Sequence, residues 1–139
     1  MIIVDTDVFS ELMRPAPSPQ VDEWFATQDE ADLFVTAVTL AEVFYGIDRL
    51  PPGRRKETIR VTADERFAAF VGKVLPFDEV AARTYGDIAS GRERARLPIG
   101  TMDAQIAAIC RTRGAFLATR STKDFDGTGI TVINPWRNA

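Results

Sequence analysis

The run Ile2-Ile3-Val4-Asp5 near the start of the chain constrains its fold more than any other feature. It is short, continuously apolar and β-branched, which suits a strand buried on both faces, as in a parallel sheet. Ending such a strand on a carboxylate costs free energy unless something offsets the charge, and Asp7 follows two positions later. Further short strand-like runs occur in "DLFVTAV", "VLPF", "AFLAT" and "ITVIN", the last reading as an edge strand. Helical segments separate them: "TDVFSELM", "VDEWFATQ", and "TLAEVFYGIDRL" with its stripe of Leu40, Val43, Phe44 and Ile47. A long amphipathic helix is predicted from about Arg54 to Val74. Another, capped by Asp78, runs to about Arg94, and "TMDAQIAAICRTR" ends at Gly114. Pro15, Pro17 and Pro19 make a stiff connection, and Pro51, Pro52 and Gly53 stop a helix. Strands alternating with helices predict an α/β fold: a mostly parallel central sheet of about four to five strands, flanked by helices on both sides. Residues 1–139 read as one domain.

Chemistry is narrowed by what the chain lacks. It has no histidine and a single cysteine, Cys110. An intrachain disulfide, a thiolate zinc cluster and any histidine-based triad or general base are excluded. Catalysis must use carboxylates, hydroxyls, Lys/Arg or a metal held by oxygen, and oxygen ligation favours Mg²⁺ or Mn²⁺. No apolar stretch has the length of a membrane span, and the N-terminal region lacks signal-peptide features. The expected location is the cytoplasm. The net charge of −3 does not mark a general nucleic-acid binder. Local basic clusters stand out nonetheless: Arg54, Arg55, Lys56 and Arg60; Arg92, Arg94 and Arg96; then Arg111, Arg113, Arg120 and Lys123. Taken alone, each cluster reads as a solvated helix face.

Function in an open α/β sheet gathers beyond the carboxyl ends of the strands. Asp5 stands there, as does the turn beginning Arg120-Ser121; the helix starts carrying Glu42 and Asp103 belong on the same rim. Every acid also has an ordinary explanation. Asp5 or Thr6 can cap the first helix, with Asp7 favourable at its positive end. Thr39 and Glu42 have the spacing of a capping box. Asp103 lies in a first turn, at the margin of a stripe of Met102, Ile106, Ile109 and Cys110. Asp124 can belong to a short helical turn begun by Ser121. Together, however, they would place several carboxylates on one rim. Two such charges ~4 Å apart repel by about 4 kcal/mol at an effective dielectric of ~20, so a divalent cation gives the cluster its reason.

The blocks "IIVDTDVFSEL", "VTAVTLAEVFYGI", "LPFDEVAARTYGDI", "LPIGTMDAQIAAI" and "FLATRSTKDFDGTGITVINPW" together resemble a PIN-domain ribonuclease of the VapC type, the toxin of a bacterial type II toxin–antitoxin pair. They are also similar to the toxin of the Fit pair. The resemblance covers nearly the whole chain and implies a three-layer PIN-like fold. It further implies that Asp5, Glu42 and Asp103 hold Mg²⁺ or Mn²⁺, the first and third most directly, for cleavage of RNA phosphodiesters. A cognate VapB-type antitoxin is implied, its C-terminal tail wrapping the toxin and blocking the acidic pocket, with DNA reached only through that antitoxin. A homodimer is implied as well. Under this resemblance Arg92, Arg94, Arg96 and Arg120 become candidate RNA-phosphate contacts.

This chain departs from the family's pattern at two positions. Asp7 stands where asparagine is usual, and could tighten metal binding or merely cap the helix. Ser121 stands where an acid or asparagine is common, leaving Ser121 or Asp124 as the fourth site residue. Three other readings stay open at this point. "DTDVF" echoes the start of haloacid-dehalogenase-type phosphatases. A receiver-like signalling domain would use Asp78 as phosphoacceptor. A PIN fold with weakened catalysis would survive as a binding protein.

Overall fold

In the computed structural model, residues 1–137 are described. Asn138 and Ala139, at the end of the "PWRNA" segment, lie outside the described residues. Five strands, β1 (Ile2–Val4), β2 (Leu33–Thr36), β3 (Val74–Leu75), β4 (Phe116–Ala118) and β5 (Val132–Ile133), form one sheet of order β3-β2-β1-β4-β5. Each adjacent pair is parallel. Ile2 registers with Leu33 on one side and Phe116 on the other, so β1 is central, and β5 is an edge as expected.

Six helices cover the sheet: α1 (Thr6–Leu12), α2 (Pro19–Ala26), α3 (Ala37–Asp48), α4 (Arg54–Ala68), α5 (Glu79–Arg94) and α6 (Thr101–Arg113). Strand alternation divides the core into two layers. Ile3 and Leu117 point to one face, against Ile88 and the almost wholly buried run Ile106–Cys110. Val4, Leu33, Val35 and Ala118 point to the other, against Val8, Phe9, Val43 and Phe67. Phe9 stacks on Phe67 with ring centroids 4.1 Å apart. These are the three layers expected of an α/β fold.

The chain winds from β1 through β2 to β3 on one side, then crosses to β4 and β5 on the other. The strand order therefore reverses between β1 and β4, and a crevice opens beyond their carboxyl ends. Asp5 follows β1 directly and Thr119 follows β4 directly.

Several boundaries differ from expectation. β2 stops at Thr36, so Ala37 and Val38 open α3 rather than extend the strand. Thr36 is the cap: its hydroxyl accepts from Thr39 N–H at 3.1 Å. Thr39 and Glu42 thus lie inside the helix and form no capping box. α4 ends at Ala68, not near Val74, because the chain turns through Gly72 at φ 76° and Val74 then pairs with Val35. Met102 is 40% exposed and off the buried stripe of α6, which begins at Ala104. Asp78 accepts from Ala81 N–H at 3.0 Å, capping α5 as predicted. It does so after β3, at the edge of the sheet, away from the central crevice where the receiver-like reading needed it.

Candidate active site

Asp5 continues the β1–β4 ladder by one rung, its N–H donating to Ala118 O at 2.9 Å. It is also the N-cap of α1. The side chain is only 5% exposed. Oδ1 accepts from Thr6 N–H and Oδ2 from the Thr119 hydroxyl, each at 2.8 Å. Burial first, and the charge of Asp7 second, push the Asp5 carboxyl up to about 7; Asp103 adds to the rise, and the bonds from Thr119 and Thr6 oppose it.

Asp103 is half-buried in the first turn of α6. Burial raises its carboxyl above the usual range, and the charges of Glu42, Asp124 and Asp7 raise it further, against a lowering from Arg92. Asp103 therefore senses three carboxylates carried by α3, by the 3-10 turn Thr122–Phe125, and by α1. Asp5 thus feels the charges of Asp7 and Asp103, and Asp103 those of Glu42, Asp124 and Asp7.

Hydroxyls hold this rim in place. The Thr6 hydroxyl donates to Glu42 Oε1 at 2.9 Å, and Thr6 Oγ1 lies 3.0 Å from Thr39 Oγ1. Since Thr6 gives its one proton to Glu42, Thr39 supplies the proton between the two hydroxyls. The carboxylate of Glu42 is thereby tied to the start of α1 rather than to its own helix. Asp7 reaches across the crevice to the turn after β4. Its Oδ2 accepts from Arg120 N–H at 3.1 Å and from the Ser121 hydroxyl at 3.2 Å. The two departures from the family pattern, Asp7 and Ser121, are hydrogen-bonded neighbours. Asp124 is exposed at the edge of the group.

Sequence reasoning named Thr6 and Thr39 only as helix-cap residues, not as supports of Glu42, and missed Thr119. A signal for Thr119 existed, because it ends "AFLAT" as Asp5 ends "IIVD". The same reasoning gave Arg92 a role its position contradicts. Arg92 is 6% exposed, with Nε donating to Leu97 O and Nη1 to Asp126 O. It is a clamp between two loops, with its guanidinium committed to carbonyls. Arg94, Arg96 and Arg120 are exposed, and the Arg120 guanidinium lies over the Trp136 ring, 5.0 Å from its centroid. Cys110 is buried in the core, and burial pushes its thiol up, far from reactivity. Among the described residues, no three His, Cys, Asp or Glu side chains are already drawn to the spacing of metal ligands.

Comparison with known proteins decides the family. A family model described as "PIN domain" matches residues 2–129. The chain belongs to the PIN-domain family. This PIN domain is 36% identical to the VapC ribonuclease Y4jK of Sinorhizobium fredii over 140 residues, covering all of both chains. It is 33% identical to toxin FitB of Neisseria gonorrhoeae, covering 99% of this chain and all of that one. A solved structure of FitAB bound to a DNA fragment superposes with a TM-score of 0.92 at 33% identity, covering 100% of this chain and 98% of that chain. The family assignment replaces the phosphatase-like and receiver-like readings.

Proposed function

We propose that this PIN domain is the toxin of a type II toxin–antitoxin pair and acts as a Mg²⁺- or Mn²⁺-dependent endoribonuclease. One observation carries the reading: acids far apart in sequence feel one another's charge, Asp5 being raised by burial, Asp7 and Asp103, and Asp103 by burial, Glu42, Asp124 and Asp7. The names of the relatives, a VapC ribonuclease and toxin FitB, support the same activity.

The residues present fit a hard divalent cation. The donor set is all oxygen. Asp5 is buried beside Asp7, a costly arrangement for two anions. Asp7 Oδ1 is buried without a hydrogen-bond partner. Asp5 and Asp103 would hold the ion most directly, with Glu42 as the third acid. When bound, the ion supplies a water of lowered pKa and offsets charge developing on the phosphodiester. The chain's own residues do the rest. Thr119 and the Thr6 N–H fix the Asp5 carboxylate, while Thr6 and Thr39 fix Glu42. Exposed Arg94, Arg96 and Arg120 offer phosphate contacts along the RNA. Ser121 and Asp124 complete the rim.

A groove of about 870 Å³ leads away from Thr6 and Glu42 between α1, α3 and α4. Apolar Val43, Ile47 and Ile59 line it, and Arg14, Arg54 and Arg55 stand further along. It suits the C-terminal tail of a VapB-type antitoxin whose basic side chain would reach the acidic rim. That partner would bring the complex to DNA, as FitAB is found on a DNA fragment. A homodimer acting in the cytoplasm completes the proposal; among the described residues no helix is long and apolar enough to cross a membrane. The test is expression of wild type and Asp103→Asn without antitoxin, with mapping of RNA 5′ ends. New Mn²⁺-dependent ends are expected only with wild type. Identical maps from both proteins would overturn the proposal.

A further inference from the structure

Asp7 is the acid that the site does not yet explain. Its ordinary role would be at the start of α1, yet the geometry leaves that role to Asp5, whose Oδ1 accepts from Thr6 N–H. Each hydrogen bond that Asp7 makes through its side chain leads instead to the turn after β4. Arg120 N–H and the Ser121 hydroxyl grip Oδ2 from that turn. Thr119 Oγ1 stands 3.3 Å from the same oxygen and 2.8 Å from Asp5 Oδ2. One hydroxyl therefore bridges two carboxylates and sets their separation. Its proton goes to the nearer, Asp5, and it accepts in turn from Ser121 N–H at 3.1 Å.

The other oxygen of Asp7 is the telling one. Oδ1 is buried and has no donor. A buried carboxylate oxygen without a partner costs free energy, and more so beside like charges. Asp7 is close enough to raise the carboxyls of both Asp5 and Asp103. A turn that fixes one oxygen of Asp7 and leaves its twin buried without a donor, on a carboxylate whose charge is felt by two others, is arranged for a cation.

We propose that Asp7 supplies the fourth carboxylate of the cation site, aimed by the Thr119–Ser121 turn, with Ser121 as its positioning residue. The inference rests on the proposed metal-dependent function and adds to it a source for the charge that Ser121 lacks. Residues 7 and 121 face each other across β1 and β4, so an acid at either position reaches nearly the same place. In this chain the acid comes from α1.

Isothermal titration with Mn²⁺ alone at pH 7.5 tests this on the intact protein, without any measurement of activity. Asp7→Asn keeps the shape and removes the charge, and its Mn²⁺ affinity should fall about tenfold or more. The double variant Asp7→Asn with Ser121→Asp returns a carboxylate to the neighbouring position and should recover affinity to within about threefold of wild type. Metal-free melting is a second readout: Asp7→Asn should melt higher than wild type, because repulsion is relieved. A helix-end role predicts the reverse. Wild-type affinity in Asp7→Asn, no recovery in the double variant, or a lowered metal-free melting point would each overturn the inference. Asp103→Asn separates the two levels. If it abolishes Mn²⁺ binding while Asp7→Asn does not, only the role of Asp7 fails. If it too binds as wild type, the metal site itself fails.

Discussion

Thr119 contributes a single hydroxyl proton, and the buried carboxylate of Asp5 receives it at 2.8 Å. Hydrogen bonds to a charged group contribute more than neutral ones, about 1.5–3 kcal/mol. Thr119→Val keeps the β-branched shape, completely buried at this position, and removes only that donor. Above pH 7 it should cost about 2 kcal/mol in denaturant unfolding and lower RNA cleavage, since Asp5 loses its orientation. Below pH 5, where Asp5 holds its own proton, the cost should shrink. An equal loss at both pH values would show that the hydroxyl does not serve the carboxylate. Asp5 was legible as a candidate in the sequence, because a helix cap explains an acid there but explains less well why a buried strand should end on a charge. Its supporting hydroxyls were not. Thr119 is more than a hundred residues away, and nothing in a threonine's local sequence says which distant anion it will meet. Glu42 shows the opposite difficulty. Its spacing from Thr39 satisfied a local rule, but Thr36 took the capping role.

At the C-terminal end of α5, three arginines that look alike in "GRERAR" have separate roles. Arg92 points inward and ties Leu97 O to Asp126 O, joining the exit of α5 to the loop after the 3-10 turn that carries Asp124. Arg94 and Arg96 point outward. Arg92→Met keeps most of the buried stem but leaves two carbonyls without donors, and should destabilise by about 2–4 kcal/mol. Arg94→Ala should change stability by less than about 0.5 kcal/mol. It should instead weaken RNA binding by an inactive Asp103→Asn background and reduce the salt dependence of that binding by about one phosphate contact. Chemical unfolding and a salt titration of binding separate the two variants; the same profile from both would refute the division. Elements with apolar periodicity and clear punctuation, such as α6 between Gly100 and Gly114, were readable to the residue. Boundaries inside β-branched or continuously helical text were not. "VTAV" carries strand propensity on both sides of the true break at Thr36, and the turn at Gly72 cuts a pattern whose apolar residues continue to Val74.

For the molecule as a whole, the acidic rim couples stability to both protons and metal. An ordinary aspartate titrates near 3.8, whereas Asp5 in the folded chain titrates at about 7. Between these values the folded state holds a proton that the unfolded state has released. Stability of the metal-free protein therefore falls as pH rises through this window, by up to the order of 4 kcal/mol from Asp5 alone. Asp103 is shifted in the same direction and adds to the fall. A divalent cation reverses the slope, because it binds only the ionised carboxylates and must displace their protons. At a free concentration of about 100 times its dissociation constant, the ion contributes about 2.7 kcal/mol, or on the order of 10 °C in melting temperature for a chain of this size. Melting curves at pH 5.5 and 7.5, with EDTA and with Mn²⁺, should therefore cross: EDTA samples melt higher at pH 5.5, Mn²⁺ samples higher at pH 7.5. Asp5→Asn should flatten the EDTA slope and raise that melting point, while losing most of the Mn²⁺ response. Parallel curves under the two conditions would mean that protons and metal do not compete for this rim, and the carboxylates would then need another reason to be buried together.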